Sequence, residues 1–412
     1  MKFHIDMWSF HFILLLLSIS SYGFLNLGFL PLNLSHLIVV FCLCSILIFS
    51  LYDKKAAIPH VYIYFICICS FFFVYSCVKI FDFQKIKNII NFIIFTAVTS
   101  IVLHNVKATL LIRYYIAMSK IFIFFALLQM FLYYFKIGDL YSLSFLGLKD
   151  VNLTKNGFLL RLYSIASEPA ALCGILLPAV YLSINNLING DKTIVGKKYS
   201  IILLFVFANT FSLIGYIYLL VMAVANIVYN GKVSAGKVIV SFIFIIFILF
   251  ALFKSESMQE RISGIVSVEA IESSQNLSVI AVYSNYLVSK KVLENDLLLG
   301  GGLFNHEYYY NKYIGTFYSH NSLRMELNKD DAASLYLRVI SELGISGLII
   351  FITVILWMLF NCNAKDSLKP FSIAFTLSFI LLGIRAGSVN YVLLWFYFFS
   401  AFKFINYRGS YL

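Results

Sequence analysis

Arginine and glutamate residues interrupt the long apolar runs of this 412-residue chain at a few positions, where chemistry could occur. They are Arg161, Glu168, Arg338, Glu342 and Arg385. The planar guanidinium group of arginine binds phosphate oxygens in a bidentate manner, so three arginines at one depth suit a diphosphate. A carboxylate can accept the proton of an attacking hydroxyl group. These residue types predict a site for an anionic substrate, although arginines at a membrane surface can also simply extend their charged ends towards water.

The first pair lies in the stretch from Arg161 to Pro169, which reads Arg-Leu-Tyr-Ser-Ile-Ala-Ser-Glu-Pro. On a helix, this separation is about two turns, so Arg161 and Glu168 would face the same way, about 10 Å apart. Pro169 would free a backbone carbonyl group and kink that helix. We expect a polar pocket with Arg161 at its rim and Glu168 deeper. The alternative is an ion pair that only fastens helices together.

A second group of polar residues precedes and enters the next apolar run. Its members are His320, Arg324, Asp330, Asp331, Arg338 and Glu342. Arg338 and Glu342 have the i, i+4 spacing, and an exposed pair of that spacing contributes only about 0.3–0.5 kcal/mol. We therefore expect them to do more than stabilise a surface. A lone histidine in a polar loop, such as His320, is either solvated or catalytic, and both interpretations stay open.

The elements that position these residues must lie in a membrane. Hydrophobic residues make up 61% of the chain and charged residues 12%, with a mean hydropathy of +0.90; ordinary globular proteins carry about 25% charged residues. The apolar runs have about twenty residues each, which suits spanning helices and exceeds the strands of a membrane barrel. The net charge of +12 does not indicate nucleic-acid binding, because the cations are spread between apolar runs. The sequence predicts an all-α, polytopic integral membrane protein.

Counting the apolar runs predicts about twelve membrane-spanning helices. The predicted division is a bundle of about nine helices at 1–253, a long loop at 254–333 and about three helices at 334–412. The sixth span is predicted at 162–188 and the ninth at 238–253. The run 199–229 is too long for one span of about twenty residues, so the polar residues around Asn209 should divide it into two helices. The distribution of Lys and Arg among the short loops places both termini in the cytoplasm and the long loop outside.

The long loop shows features of a folded segment. Apolar residues of Asn276–Lys291 recur at helical spacing, which predicts an amphipathic helix that could lie along the membrane surface. Gly300-Gly301-Gly302 lacks the spacing and the preceding strand of a phosphate-binding motif. We therefore expect a flexible turn there.

Arg113, Lys120 and the cysteines belong to neither of these groups of charged and polar residues. Arg113, near the end of the fifth span, can extend its charge to the membrane surface, whereas Lys120, deeper in that span, has no evident role. Six of the seven cysteines lie inside apolar runs, where they are typical of buried small side chains. They indicate neither a metal site nor disulfide bonds.

The R-x6-E-P pattern of Arg161–Pro169, the long loop near the carboxyl end and the E-L-G-I-x-G of Glu342–Gly347 together resemble the Wzy-type polymerases of O-antigen or capsular repeat units. The resemblance implies a GT-C-like glycosyltransferase of the bacterial plasma (inner) membrane, without cofactor or metal. Its substrate would be an oligosaccharide linked to undecaprenyl diphosphate, polymerised on the outer face. The implied partners are the lipid bilayer and chain-length regulator and flippase proteins, and no nucleic acid.

A diphosphate leaving group needs neutralisation of its charge, which arginines can supply. The expected diphosphate-binding residues are Arg161, Arg324, Arg338 and Arg385. The acceptor hydroxyl needs a base or at least orientation. Glu168 is the first candidate for that base, followed by His320, Asp330 and Asp331.

Two alternative functions stay open. In the related O-antigen ligases, a His-Asn or His-Ser pair precedes the segment that begins here at Leu335, but Ala333-Ser334 stands in that place. This departure favours a polymerase over a ligase-like transferase. A transporter or flippase would place charges near the middle of the membrane on several helices, whereas most charges here lie near the predicted outer ends, Lys120 excepted.

The predicted orientation can be tested by fusing alkaline phosphatase after Gly301. The enzyme is active only outside the cytoplasm, so we expect high phosphatase activity in cells. A cytoplasmic reporter fused at the same residue should be inactive. The reverse pattern would contradict the orientation and an extracytoplasmic site.

Overall fold

The computed structural model describes residues 6–20, 34–53, 58–80, 83–143, 155–156, 159–190, 195–229, 277–318, 326–362 and 368–406. In chain order the α-helices are α1 (Met7–Ser20), α2 (Leu34–Asp53), α3 (His60–Lys79), α4 (Phe83–Asn105), α5 (Ala108–Tyr134), α6 (Pro169–Asn189), α7 (Lys197–Ala208), α8 (Leu213–Tyr229), α9 (Leu277–Asn295), α10 (His306–Tyr313), α11 (Leu335–Asn361), α12 (Lys369–Arg385) and α13 (Val392–Ile405). Short 3-10 helices cover Gly138–Ser142 and Ile314–Thr316. A two-residue antiparallel hairpin pairs β1 (Lys155–Asn156) with β2 (Leu159–Leu160). The fold is all-α, as predicted.

Five of these helices are long and apolar enough to cross a membrane: α3, α4, α5, α6 and α11. Shorter apolar helices lie within α1, α2, α8 and α13. Such a set is consistent with an all-α membrane protein, because a helix satisfies its own backbone hydrogen bonds in lipid. The count of about twelve spans and the orientation stay predictions. The predicted ninth span, 238–253, and the loop residues 254–276 lie outside the described residues.

The centre of the bundle consists of α6, α12 and α13, most of whose residues are buried. The apolar run 199–229 forms two helices, α7 and α8, as its length predicts. Polar residues from Asn209 to Ser212 separate them, and the backbone N–H of Leu162 donates to the carbonyl of Asn209 at 2.9 Å. The turn between α7 and α8 therefore lies beside the segment that precedes α6.

The predicted start of the sixth span at residue 162 is wrong, because α6 begins at Pro169. Proline has no N–H to lose and has a helical φ, so it is favoured as the first helical residue, while it holds the residue before it in an extended conformation. Glu168 is indeed extended, with φ −163° and ψ 161°. Consequently Arg161 and Glu168 are not two turns apart on a helix, and Pro169 does not kink one.

A proline does interrupt α6 further along, at Pro178. This residue cannot donate to the carbonyl of Gly174, and two buried tyrosines compensate. Tyr397 donates its hydroxyl to the Gly174 carbonyl at 2.8 Å. Tyr115 donates to the Ile175 carbonyl at 2.8 Å and its hydroxyl accepts the displaced N–H of Ala179 at 3.3 Å. The interrupted helix thus keeps its backbone groups satisfied in an apolar core.

Helix α11 is interrupted at Gly344, whose φ of 63° and ψ of −157° are not helical. The segment 297–302, here called the glycine turn, fills the interruption with four backbone hydrogen bonds. Two of its N–H groups donate to α11 carbonyls before the break, and two N–H groups after the break donate back to it. The bonds are Gly301 N to Ser341 O (2.7 Å), Gly302 N to Glu342 O (2.8 Å), Ile345 N to Leu297 O (3.0 Å) and Ser346 N to Leu298 O (3.1 Å).

The close approach at this break explains two of the glycines. A Cβ atom on Gly344 would lie 2.5 Å from the backbone N of Gly300, and a Cβ on Gly300 would lie 2.5 Å from that of Gly344. Both also have φ +63°, which side chains disfavour. The three glycines are therefore buried and the turn is held in place by backbone hydrogen bonds, so the expectation of a flexible turn is wrong.

The amphipathic helix predicted at 276–291 forms as α9, with Ile280, Ala281, Ser284 and Val288 buried. This face packs against α10 and α11 within the protein. On the other side, α3 holds the glycine turn through Lys79, whose Nζ lies 2.6 Å from an Asp296 carboxylate oxygen and 2.9 Å from the Gly300 carbonyl. The end of the long loop is thus a folded part of the bundle.

The role of the tyrosines at Pro178 can be tested by Tyr397→Phe. Losing the hydroxyl leaves a buried carbonyl without its donor, which should lower the free energy of unfolding by about 1–3 kcal/mol. Denaturation of the purified protein in mixed detergent micelles measures this.

Tyr218→Phe is the matched control, because the Tyr218 hydroxyl is equally buried and has no hydrogen-bond partner among the described residues. It should leave stability unchanged or slightly raised. Equal losses in the two variants would contradict the assignment.

Candidate functional site

Four segments that are distant in the chain meet at one end of the bundle. They are residues 161–168, 209–212, 331–338 and 385–391, here called the loop junction. Arg338 donates from Nη1 to the Gly387 carbonyl at 2.9 Å, and Ser334 donates to the Gly383 carbonyl at 3.2 Å. A Cβ at position 387 would collide with the carbonyl oxygen of Asp331, so glycine is required for this contact. The junction collects most of the charged residues that the sequence singled out.

Glu168 and Arg385 form an ion pair at the loop junction, with Arg385 Nη2 2.5 Å from Glu168 Oε1. Their side chains are 45% and 39% exposed, respectively. The expectation of a buried Glu168 deep in a pocket is wrong, because Pro169 ends the extended segment and Arg385, the last residue of α12, points to it. The junction therefore presents an accessible carboxylate and an accessible guanidinium group side by side.

Arg161 lies at the same end of the bundle. Its Nε donates to the Thr210 carbonyl at 3.2 Å, and the Thr210 hydroxyl lies 3.2 Å from the Cys173 sulfur. Arg161 and Arg385 both lie near the buried Cys173. Two of the arginines expected to bind diphosphate are thus at the same end of the bundle, although their segments are far apart in sequence.

Arg338, in contrast, is buried. Its Nε lies 3.0 Å from Glu342 Oε1, and the two side chains are only 8% and 2% exposed. The value of an exposed pair therefore does not apply to it, because α9, α10 and the residues around Gly387 cover the first turns of α11. Since Glu342 and Gly387 engage the guanidinium group and the side chain is buried, Arg338 holds the loop junction together and is not accessible to a diphosphate.

Sequence reasoning missed His306, the first residue of α10, which is fully buried. Its Nδ1 lies 2.8 Å from Ser341 Oγ, and its Nε2 lies 2.7 Å from Asn285 Oδ1. Burial, together with the nearby charge of Arg338, lowers the pKa of His306 to about 3. The neutral imidazole therefore joins α9, α10 and α11. In the sequence, only the position of His306 shortly after the three glycines could have indicated that it has a structural role.

The remaining acidic candidates lie on the segment before α11. Asp331 accepts hydrogen bonds at Oδ1 from the N–H of Ala333 at 2.9 Å and from the Asn328 amide at 2.8 Å. It thereby stabilises a turn in which Ala332 and Ala333 both have a positive φ, 57° and 56°. Backbone strain of this kind persists only where the surroundings impose it. Asp331 is thus engaged in the turn, and it also interacts electrostatically with Arg385.

Asp330 is exposed and lies near Glu307 of α10. Partial burial and the Asp330 carboxylate raise the pKa of Glu307. His320 and Arg324 lie outside the described residues. Among the described residues, no three His, Cys, Asp or Glu side chains are grouped so that they could hold a metal ion.

Comparison with protein-family models, with curated proteins and with solved structures finds no match to this chain. A functional proposal therefore rests on the loop junction itself and on the residue patterns of the sequence.

The structural role of the buried pair can be tested by Arg338→Met. This variant leaves Glu342 buried without its cation, which should cost about 3–5 kcal/mol of stability, whereas removing both charges in Arg338→Met/Glu342→Leu should restore most of it. Unfolding in mixed micelles measures the four corners of this cycle.

Lys291→Met is the control, since Lys291 and Glu294 form an exposed pair on α9. Its effect should stay below about 1 kcal/mol. Additive losses from the two single substitutions at the buried pair would contradict the assignment.

Proposed function

We propose that the protein is a glycosyltransferase that joins oligosaccharide repeat units linked to undecaprenyl diphosphate. The observation that carries the proposal is the accessible Glu168–Arg385 pair, with Arg161 at the same end of an apolar helical bundle. A lipid-linked diphosphate places its anionic group at the end of such a bundle while its lipid stays among apolar surfaces. The charged residues present match that chemistry.

In the proposed reaction, the acceptor hydroxyl oxygen attacks the anomeric carbon of the donor sugar. The bond from that carbon to the diphosphate oxygen breaks, and undecaprenyl diphosphate leaves with the bonding electron pair. Arg385 and Arg161 bind the diphosphate and stabilise the charge that develops on the leaving oxygen. Arg338 contributes indirectly, because its hydrogen bond to the Gly387 carbonyl positions the loop that follows Arg385.

Glu168 accepts the proton of the acceptor hydroxyl in this proposal. Glu168 is paired with Arg385. When a diphosphate binds, Arg385 exchanges the carboxylate for phosphate oxygens, and Glu168 becomes free to orient the hydroxyl and take its proton. One ion pair would thus couple donor binding to the availability of the base.

The location and partners complete the proposal. The chain would span the bacterial inner membrane about twelve times with both termini in the cytoplasm, so that the loop junction faces outwards. Chain-length regulator and flippase proteins would be its partners. A ligase-like transferase, which differs in the acceptor, and a flippase, which moves the lipid-linked unit unchanged, are the alternatives.

The deciding experiment supplies purified protein with lipid-linked repeat units and separates the products by gel. Wild type should give a ladder of longer chains. Glu168→Gln should lower the turnover per folded molecule by roughly 10²–10⁴-fold, since it removes proton acceptance. Arg385→Lys should also lose most elongation, because lysine cannot bind a diphosphate bidentately.

Two matched controls carry the same chemical changes elsewhere. Glu294→Gln alters an exposed carboxylate of α9, and Arg113→Lys alters an exposed arginine of α5; both should elongate normally. Unchanged lipid-linked units with wild type would contradict the polymerase, and transfer only to lipid A core would indicate the ligase. Glu168→Gln within about fivefold of wild type, well short of the loss expected for a base, would remove Glu168 from the mechanism.

A further inference from the structure

The short helix α10 has one buried side and one exposed side. The residues at positions 306, 309 and 310 are buried, and the exposed residues share the opposite side of the helix. The exposed residues, here called the α10 face, are Glu307, Tyr308, Asn311 and Lys312. The Tyr308 side chain is 47% exposed. The α10 face is therefore accessible to a ligand.

The buried side of α10 fixes the position of the helix. The ring nitrogens of His306 lie 2.8 Å from the Ser341 hydroxyl oxygen and 2.7 Å from the Asn285 amide oxygen. Tyr310 donates its hydroxyl to the Leu327 carbonyl at 3.2 Å. A surface that is already held in place loses little conformational freedom when a ligand binds, which favours binding. The α10 face thus presents its side chains from a fixed helix.

The residue types of the α10 face match a saccharide. The Tyr308 ring can stack on the C–H groups of a sugar ring while its hydroxyl stays in water. The Glu307 carboxylate accepts hydrogen bonds, and the Asn311 amide both donates and accepts them, so the two groups suit sugar hydroxyls. Glu307 and Asn311 are one helical turn apart, so both can reach hydroxyl groups of the same sugar.

Other classes of ligand match this face less well. Nucleic acid and anionic lipid require a surplus of positive charge, whereas Lys312 is accompanied here by the carboxylate of Glu307. The centres of protein interfaces are depleted in Lys and Glu. A lipid tail would meet mostly polar side chains. A ligand rich in hydroxyl groups is the class that the α10 face favours.

The segment before α11 connects the α10 face with the loop junction. Asp330 lies near Glu307, and the next residue, Asp331, lies near Arg385. Glu307 also lies near Arg338 of the junction. A glycan that is held at Arg385 by its diphosphate can therefore extend towards α10.

We propose that the α10 face binds sugars of the lipid-linked repeat unit that lie away from the reacting carbon. Tyr308 stacks on one sugar ring, and Glu307 and Asn311 form hydrogen bonds with its hydroxyl groups. The inference rests on the proposed transferase function and assigns a binding site to part of its substrate. Because the α10 face does not touch the reacting atoms, it determines the affinity for the glycan and not the rate of the chemical step.

Binding of the free glycan tests this site separately from transfer. The probe is the oligosaccharide released by mild acid from the lipid-linked units of the elongation assay, and the full chain is held in lipid nanodiscs. Titration followed by saturation-transfer NMR measures Kd. Tyr308→Ala should raise Kd at least about fivefold, because it removes the ring contact. Tyr308→Phe keeps the ring and should bind as wild type does, whereas Asn311→Ala should weaken binding through lost hydrogen bonds.

Tyr286→Ala is the matched control, since Tyr286 of α9 is 48% exposed and lies outside the α10 face. It should leave Kd unchanged, and unchanged melting temperatures show that the variants are folded. In the elongation assay, Tyr308→Ala should raise KM and leave kcat unchanged.

Three results would overturn the proposal: no binding of the free glycan by wild type, the same Kd for wild type and Tyr308→Ala, or an equal loss in Tyr286→Ala. A wild type that binds the glycan through Tyr308 without elongating it would support the α10 face and contradict the transferase function. Normal elongation with an unchanged KM in Tyr308→Ala would contradict the α10 face alone.

Discussion

The interruption of α11 at Gly344 is the constraint on which the rest of the described structure depends. A helix that is broken inside an apolar bundle exposes backbone groups that neither lipid nor core can satisfy. The glycine turn supplies four backbone hydrogen bonds at that point, and it can approach because both Gly300 and Gly344 lack a Cβ. This contact fixes the end of the long loop on the bundle. α9 and α10, on either side of the turn, then cover the first part of α11.

The packing of α9 and α10 over α11 determines which charged side chains of the loop junction are buried. It buries Arg338 and Glu342, so the pair must neutralise itself and hydrogen-bond fully. A second guanidinium nitrogen, Nη1, donates to the carbonyl of Gly387, which positions the loop following Arg385. Arg385 remains accessible and meets Glu168. The junction thus consists of an inner, buried pair that maintains the arrangement and an outer pair that is accessible.

Elsewhere in the core, tyrosine hydroxyls form hydrogen bonds with backbone groups that lack a helical partner. Pro178 removes a helical hydrogen bond from the most buried helix, and Tyr115 and Tyr397 replace what is lost. Buried tyrosine satisfies both its apolar ring and its polar end when a free carbonyl is within reach. Likewise, both ring nitrogens of the buried, neutral His306 have hydrogen-bond partners, Ser341 and Asn285, where α9 and α10 pack over α11.

The sequence by itself determined the features that depend on local or average properties. Its apolar composition predicted an all-α fold, because only helices satisfy the backbone in lipid segment by segment. The length of 199–229 predicted two helices, and the periodicity of 276–291 predicted α9. Pro169 also indicates the correct start of α6, because proline is favoured at the first position of a helix. The prediction failed because it considered only that proline can kink a helix.

Only the tertiary structure decided which charges meet and which are exposed. Glu168 and Arg385 are 217 residues apart, and no local pattern specifies that pairing. The burial of Arg338 and Glu342 could not be predicted, because i, i+4 spacing says nothing about what packs over a helix. The glycine turn looked flexible because the hydrogen bonds that hold it come from the backbone of α11, forty or more residues away in sequence. Burial and ion pairing are properties of packed neighbours, and packing joins segments whose distance along the chain carries no information about their distance in space.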